Sequence, residues 1–348
     1  MNKESKQLLE IINQSKNILL TSHKNPDHDA IGSVLGFSHI LNQNFKKNIF
    51  VNFEDPVQER YSFLKGFDTV QNRKHIDIVK EKEIDLIIVL DGNNWGRFVK
   101  ENDEELRQYV KKNTSIKTVC IDHHQKHGYD NFDMYIHRDY GSAAEIVYDL
   151  LIEELGFSLD KEFAYCIMTG ILGDTGRFMY AKDLNKTFDI AKELIVFDEN
   201  MIEMITDKLS RYSFHTLKFL QELINNTVLR DGYNFSYLSD DTVEKVRKDP
   251  TLRHYYKNAS EEYVNIYVRN IEDNLWGFSI CPVPEEPGKY KVSFRATAGT
   301  VDTSVFARKF GGGGHVGASG CEFEADSIDD AIQILEDTIA KHLEEATL

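Results

Sequence analysis

Residues 84–90 read IDLIIVL and run directly into Asp91. So short and nearly unbroken an apolar run predicts a strand covered on both faces, which is the mark of a parallel sheet flanked by helices. The chain repeats the device. Residues 18–20 (ILL) end in a loop carrying His23, Asp27 and Asp29, and residues 116–121 (IKTVCI) end in Asp122-His123-His124. Helical patterns lie between and around these runs. They cover residues 3–15, 30–41, 104–110, 142–155 (stopped by Gly156) and 163–172, the last leading into Gly173-Asp174-Thr175-Gly176-Arg177. Residues 48–52 read as a further strand, whereas residues 54–74 show no regular pattern and offer Tyr61, Phe63, Leu64 and Phe67 as anchors. The alternation predicts an α/β fold with a largely parallel sheet and helices on both faces. Ligands of such sheets gather beyond the C-terminal strand ends. His23, Asp27, Asp29, Asp91 and His123 are expected to converge there, joined by Asp174 from a helix end.

At 348 residues the chain has the length of two domains. The expected layout is residues 1–184, a helical connection over 185–226, and a smaller α/β domain over 227–348. In the last part, residues 235–238, 276–281 and 290–295 read as strands and residues 241–247 and 328–342 as helices, with the hairpin loop PVPEEPG at 282–288. A net charge of −16 argues against a surface that coats long nucleic acid, since phosphate affinity comes largely from Lys and Arg. A local pocket for a few phosphates remains compatible with it. Cys120, Cys166, Cys281 and Cys321 are scattered, with no CxxC pair, which fits a reduced, cytoplasmic setting. The first residues lack the apolar core of a signal peptide, and no run has the length of a membrane span.

An Asp-bearing loop after a strand is often only a helix cap. Six acid and imidazole groups after successive strands instead favour two divalent cations bracketing the oxygens of an in-line displacement. The tetraglycine Gly311-Gly312-Gly313-Gly314, followed by His315, reads either as a flexible loop or as a close-approach surface whose backbone N–H groups cradle an anion. Arg308, Lys309 and His315 add positive charge beside it, and the absence of a following GK[ST] excludes a Walker loop. Arg97, Arg177 and Arg295 each lie close in sequence to one of these motifs, and a guanidinium fork suits phosphate.

With these motifs in order, the sequence resembles the DHH phosphoesterases with a DHH-associated C-terminal domain. The matching residues are His23, Asp27, Asp29-Ala30, Gly32-Ser33, Asp91, Asp122-His123-His124, Gly173-Asp174-Thr175-Gly176 and Gly311 to His315. Length, Asn94, Arg97 and the GDTGRF run at 173–178 are most similar to the bacterial nanoRNase (NrnA-type) branch; that branch often has Asp-Thr-Ala-Asn where this chain reads Asp91-Gly92-Asn93-Asn94. The resemblance implies hydrolysis of very short oligoribonucleotides and of 3′-phosphoadenosine 5′-phosphate, with two divalent cations, usually Mn²⁺. It implies His23, Asp27 and Asp91 on one cation, and Asp29, Asp91, His123 and Asp174 on the other. His124 would contact the scissile phosphate, Asp122 would orient the neighbouring histidines, and Arg295 with Gly312, Gly313, Gly314 and His315 would grip a terminal nucleotide, the resemblance implying an active-site cleft between the domains. A cyclic-dinucleotide or pApA phosphodiesterase is the rival enzyme, and a catalytically silent nucleotide sensor the rival of another class. Short RNA or small nucleotides are the expected partners; the oligomeric state, a homodimer included, stays open.

Overall fold

A computed structural model describes residues 2–100, 102–124 and 131–347. The chain forms two compact units, Met1–Arg211 and Tyr212–Leu348.

The first unit is built on six strands: β1 (Asn17–Thr21), β2 (Asn48–Phe53), β3 (Gln71–Asn72), β4 (Leu86–Leu90), β5 (Lys117–Asp122) and β6 (Met134–His137). Their order is β3-β2-β1-β4-β5-β6, and every pairing is parallel. Successive residues on a strand face opposite sides, and the central strands show why both sides must be apolar. Ile18, Leu20, Leu86, Ile88 and Leu90 enter a core shared with helices His28–Asn44 and Lys161–Asp174. Leu19, Ile87 and Val89 enter a second core with Ile78, Trp95 and Leu106 on the other face. The irregular stretch is anchored as expected, with Tyr61 and Leu64 buried and Phe63 and Phe67 packed on the first core. Strand β6 has no counterpart in the sequence reading: four residues, MYIH, alternate between buried and half-buried at the sheet's edge.

The helical stretch expected as a connection divides between the units, for a packing reason. Ile190, Ala191, Leu194, Met201, Ile205 and Leu209 are buried in the first unit's core. Helix Phe214–Asn225 instead sends Phe219, Leu220 and Leu223 into a cluster with Tyr256 and Tyr263 of the second unit.

The second unit has the sheet order β11-β12-β10-β9-β8-β7, comprising β7 (Val228–Leu229), β8 (Asn234–Tyr237), β9 (Trp276–Pro282), β10 (Lys289–Ala296), β11 (Gly313–His315) and β12 (Ala318–Glu324). Only β8 and β9 pair in parallel. The PVPEEPG turn closes the β9–β10 hairpin, with Pro282 opposite Tyr290. Half of the tetraglycine is not a loop: Gly313 and Gly314 pair with Gly320 and Ser319 in an edge strand. A Cβ on Gly312 would stand 2.2 Å from the Gly320 carbonyl oxygen, and one on Gly314 would stand 2.5 Å from Ser319 Cα. Close approach of two chain segments therefore requires these two glycines, while added Cβ atoms at Gly311 and Gly313 would meet nothing.

Candidate metal centre

The strand order of the first unit reverses between β1 and β4, and the crevice beyond two such strands is where the following loops part and a ligand fits. Strand β1 runs into the His23 loop, β4 into Asp91, and β5 into His123 and His124. Asp91 is at the centre, 1% exposed. Its φ of 54° is left-handed, a region Asp tolerates better than most residues, and its N–H donates to the Ile121 carbonyl at 2.9 Å, fixing the turn against β5. His23 Nε2 is 3.1 Å from Asp91 Oδ2. His123 Nε2 and His124 Nδ1 are 3.4 and 3.2 Å from Oδ1.

Backbone carbonyls aim two of these imidazoles. His23 Nδ1 lies 2.7 Å from the Lys24 carbonyl oxygen and His123 Nδ1 lies 3.2 Å from that of Tyr140. A carbonyl only accepts, so each Nδ1 carries a proton and each Nε2 faces the acids. His124 is aimed by Asp122, whose Oδ1 accepts from its N–H and lies 2.8 Å from its Nδ1. Of the neighbouring histidines, then, Asp122 holds His124, and the Tyr140 carbonyl holds His123.

The two acids of the opening loop have separate duties. Asp27 caps helix His28–Asn44, its Oδ1 accepting from the N–H groups of Asp29 and Ala30 at 3.1 Å, while Oδ2 lies 3.5 Å from His23 Nε2. Asp29 is fully buried and accepts from Ala143 N–H (2.6 Å), Ala144 N–H (2.9 Å) and Ser33 Oγ (3.1 Å). A carboxylate at the start of helix Ala143–Tyr148 satisfies otherwise orphaned donors. Its Oδ2 is 3.9 Å from His123 Nε2, and Asp174 Oδ2, at the end of helix Lys161–Asp174, is 3.3 Å from the same nitrogen. Glycines make this crossing possible: a Cβ on Gly32 would lie 2.4 Å from the Cys166 carbonyl oxygen, and one on Gly170 would lie 2.6 Å from Ala144 Cβ and 2.7 Å from Asp29 Oδ1.

Burial and mutual charge set the protonation. Burial would raise Asp91, but the three imidazoles outweigh it and hold its carboxyl well below the usual range. Burial lowers His23 and His123, yet both stand well above an ordinary imidazole, His23 through Asp27 and Asp91, His123 through Asp174 and Asp91. Burial, then the charges of Asp174 and Asp91, raise Asp29; burial and then Asp27 push Asp174 up to about 6. The acids thus favour positive charge at the places that cations would take. Asp91 Oδ1 and His123 Nε2 are buried with no hydrogen-bond partner. A buried carboxylate oxygen and imidazole nitrogen left without hydrogen bonds among other acids and imidazoles are the donor set of a divalent cation such as Mn²⁺ or Zn²⁺. Ligand atoms of His23, Asp27 and Asp91 lie within 4.8 Å of one another, as do those of Asp29, His123 and Asp174, and those of Asp91, Asp122, His123 and His124.

The expected arginines are spread more widely. Arg97 lies on the short helix Trp95–Phe98, and its carbonyl accepts from Lys24 N–H at 2.6 Å, tying that helix to the His23 loop. Arg177 is exposed, with Nη2 donating to Ser210 Oγ at 2.8 Å. In the second unit, Arg295 on β10 bonds Asn265 Oδ1, Arg308 bonds Ser304 Oγ, and His315 is exposed on β11. Nothing in the side chains marks the Lys24 and Tyr140 carbonyls, because any residue type supplies a carbonyl.

Residues 17–171 match the DHH family, N-terminal domain, and residues 255–341 match the DHHA1 domain. The chain belongs to the DHH phosphoesterase family. It is 30% identical over 338 residues, 95% of this chain and 96% of the relative, to the bifunctional oligoribonuclease and PAP phosphatase NrnA of Bacillus subtilis (strain 168). The protein of the same name from Thermus thermophilus is 24% identical over 331 residues, 94% of this chain and 91% of that one. Among solved structures, an exopolyphosphatase-related protein from Bacteroides fragilis is similar with a TM-score of 0.82 and 25% identity, covering 98% of each chain.

Proposed function

We propose that this chain is a two-metal phosphoesterase that hydrolyses very short oligoribonucleotides to mononucleotides and 3′-phosphoadenosine 5′-phosphate to AMP, in the cytoplasm. The observation that carries this reading is Asp91: a buried carboxylate at the sheet's switch point, within 3.1–3.4 Å of three imidazoles, with one oxygen lacking a hydrogen-bond partner. The names of the relatives at 24–30% identity over nearly the whole chain support the substrate class. His23, Asp27 and Asp91 would hold one cation and Asp29, Asp91, His123 and Asp174 the other, Mn²⁺ suiting the mixed ligands. Such cations supply an activated water and stabilise charge on the phosphoryl oxygens.

The chain's own residues do the rest. Asp91 keeps its charge because three imidazoles surround it. The Lys24 and Tyr140 carbonyls keep His23 and His123 in the tautomer that presents Nε2. Asp122 orients His124, which contacts the scissile phosphate. Arg97, Arg177, Arg295, Arg308 and the Gly312–His315 segment are assigned to holding the substrate. In assays with Mn²⁺, a 5′-labelled RNA dinucleotide and 3′-phosphoadenosine 5′-phosphate are turned over with higher kcat/KM than cyclic di-AMP, and Asp91→Asn abolishes turnover. An active Asp91→Asn protein would remove the site assignment; a preference for cyclic di-AMP would replace the substrate.

A further inference from the structure

Two guanidiniums of the first unit end on one turn. Arg60 Nη1 donates to the Leu209 carbonyl oxygen at 3.1 Å, and Arg177 Nη2 to the next residue, Ser210 Oγ, at 2.8 Å. Among the described residues neither forms an ion pair, although acidic groups outnumber basic ones by 57 to 41. Arg73, Arg138, Arg211, Arg230 and Arg247 each hold a carboxylate. Two converging cations without a counter-charge repel each other, and a shared anion relieves that repulsion.

Both arms start beside the acid cluster. Tyr61, next to Arg60, places its hydroxyl 3.3 Å from Nδ1 of His28, the residue between Asp27 and Asp29. Arg177 leaves helix Lys161–Asp174 just after Asp174 through a tight turn in which Gly176, Arg177 and Phe178 have φ of 55°, 58° and 71°. Two consecutive non-glycine residues in this region are strained, and they persist only where the surroundings hold them. Here Arg177 N–H donates to Leu172 O (2.9 Å) and Phe178 N–H to Thr175 Oγ1 (2.9 Å). The turn carries the Arg177 side chain to the place where Arg60 ends. A planar fork with several N–H donors matches the oxygens of a phosphate dianion.

We infer that Arg60 and Arg177 form a subsite for a terminal phosphomonoester of the substrate, apart from the phosphate that is cleaved. This rests on the phosphoesterase reading above. The subsite makes the enzyme measure its substrate by an end group, favouring chains short enough to present that end beside the acids.

The test compares kcat/KM, with Mn²⁺, for one adenine dinucleotide in three forms: 5′-phosphorylated, 3′-phosphorylated and without a terminal phosphate. The wild-type protein is expected to prefer one phosphorylated form roughly ten- to hundredfold, the range of charge-assisted hydrogen bonds, and the preferred form names the end. Arg60→Ala and Arg177→Ala bring that ratio close to one, and Arg60→Lys restores part of it by returning charge without the fork. Arg177 is exposed and bonds one serine hydroxyl, so its variant remains informative if Arg60→Ala fails to fold. No wild-type preference, or an unchanged ratio in Arg177→Ala, overturns the inference. Turnover of none of the three forms would instead defeat the hydrolase reading. The subsite is then judged by binding of inorganic phosphate to the metal-free protein, which is weaker in Arg177→Ala if the subsite exists and equal if it does not.

Discussion

Gly170→Ala tests whether the acid cluster is held by helix packing. The new methyl would sit 2.6 Å from Ala144 Cβ and 2.7 Å from Asp29 Oδ1, so helix Lys161–Asp174 must move or Asp29 must leave Ala143 and Ala144. Overpacking costs about 1–3 kcal/mol, and loosening a charge-assisted hydrogen bond about 1.5–3 kcal/mol. The better helix propensity of alanine returns about 1 kcal/mol, leaving a net loss of about 1.5–5 kcal/mol where both costs are incurred. Gly36→Ala is the control on the same helix interface. Its Cβ would meet side-chain atoms only, Ile167 Cδ1 at 3.1 Å and Cys166 Cβ at 3.3 Å, and they can shift. Its cost is expected to stay within about 1 kcal/mol of wild type once propensity is counted. The assay is urea unfolding of metal-free protein followed by tryptophan fluorescence. The chain has two tryptophans, Trp95 in the first unit and Trp276 in the second, so a Trp276→Phe background lets Trp95 report the first unit alone. If Gly170→Ala unfolds at the same urea concentration as Gly36→Ala, the close crossing does not hold Asp29 and the reasoning fails.

Two further outcomes follow from the site. Asp122→Ala releases His124 while leaving the groups around His23 and around Asp29 intact, so kcat falls about 10–100-fold with Mn²⁺ affinity by calorimetry little changed; equal losses in both would make Asp122 a structural residue. Mn²⁺ affinity rises from pH 5.5 to 8, because His23, His123, Asp29 and Asp174 all have raised pKa values and carry protons at the acid end that a cation must displace. Calorimetry in buffers of different ionisation enthalpy counts those protons, and a pH-independent affinity without proton release would contradict the protonation described.

The central strands and the acids behind them were legible because burial on both faces leaves an unbroken apolar run, and because parallel topology puts everything that follows such a run at one edge. Asp91 and His123 could be assigned to a common site on those grounds alone. Strand β6 was not legible: a four-residue edge strand buries only alternate side chains, too few to show a period. Helix Arg253–Ile266 escaped notice because its buried face is made of Tyr256, Asn258, Ala259 and Tyr263 with one aliphatic partner, Val264, so the apolar stripe is chemically muted. The tetraglycine reads as a close-approach surface for an anion or as a flexible loop, whereas the close approach at Gly312 and Gly314 is to the chain's own Gly320 and Ser319. The holders of His23 and His123 were invisible for a different reason: they are peptide groups, whose position depends on the fold and not on the side chain above them.

The left-handed backbone of Asp91 bears on how this chain could drift. That turn accepts glycine, asparagine and aspartate readily and penalises most other residues. The cation binding proposed there calls for a residue that can carry a ligand atom and a negative charge. Aspartate alone satisfies both demands, so position 91 has no neutral neighbour in sequence space while the chemistry is under selection. Once selection lapses, the backbone demand survives. A descendant that keeps the fold but abandons hydrolysis is then expected to carry asparagine or glycine at this point, and that one substitution would separate retired copies of the fold from working ones.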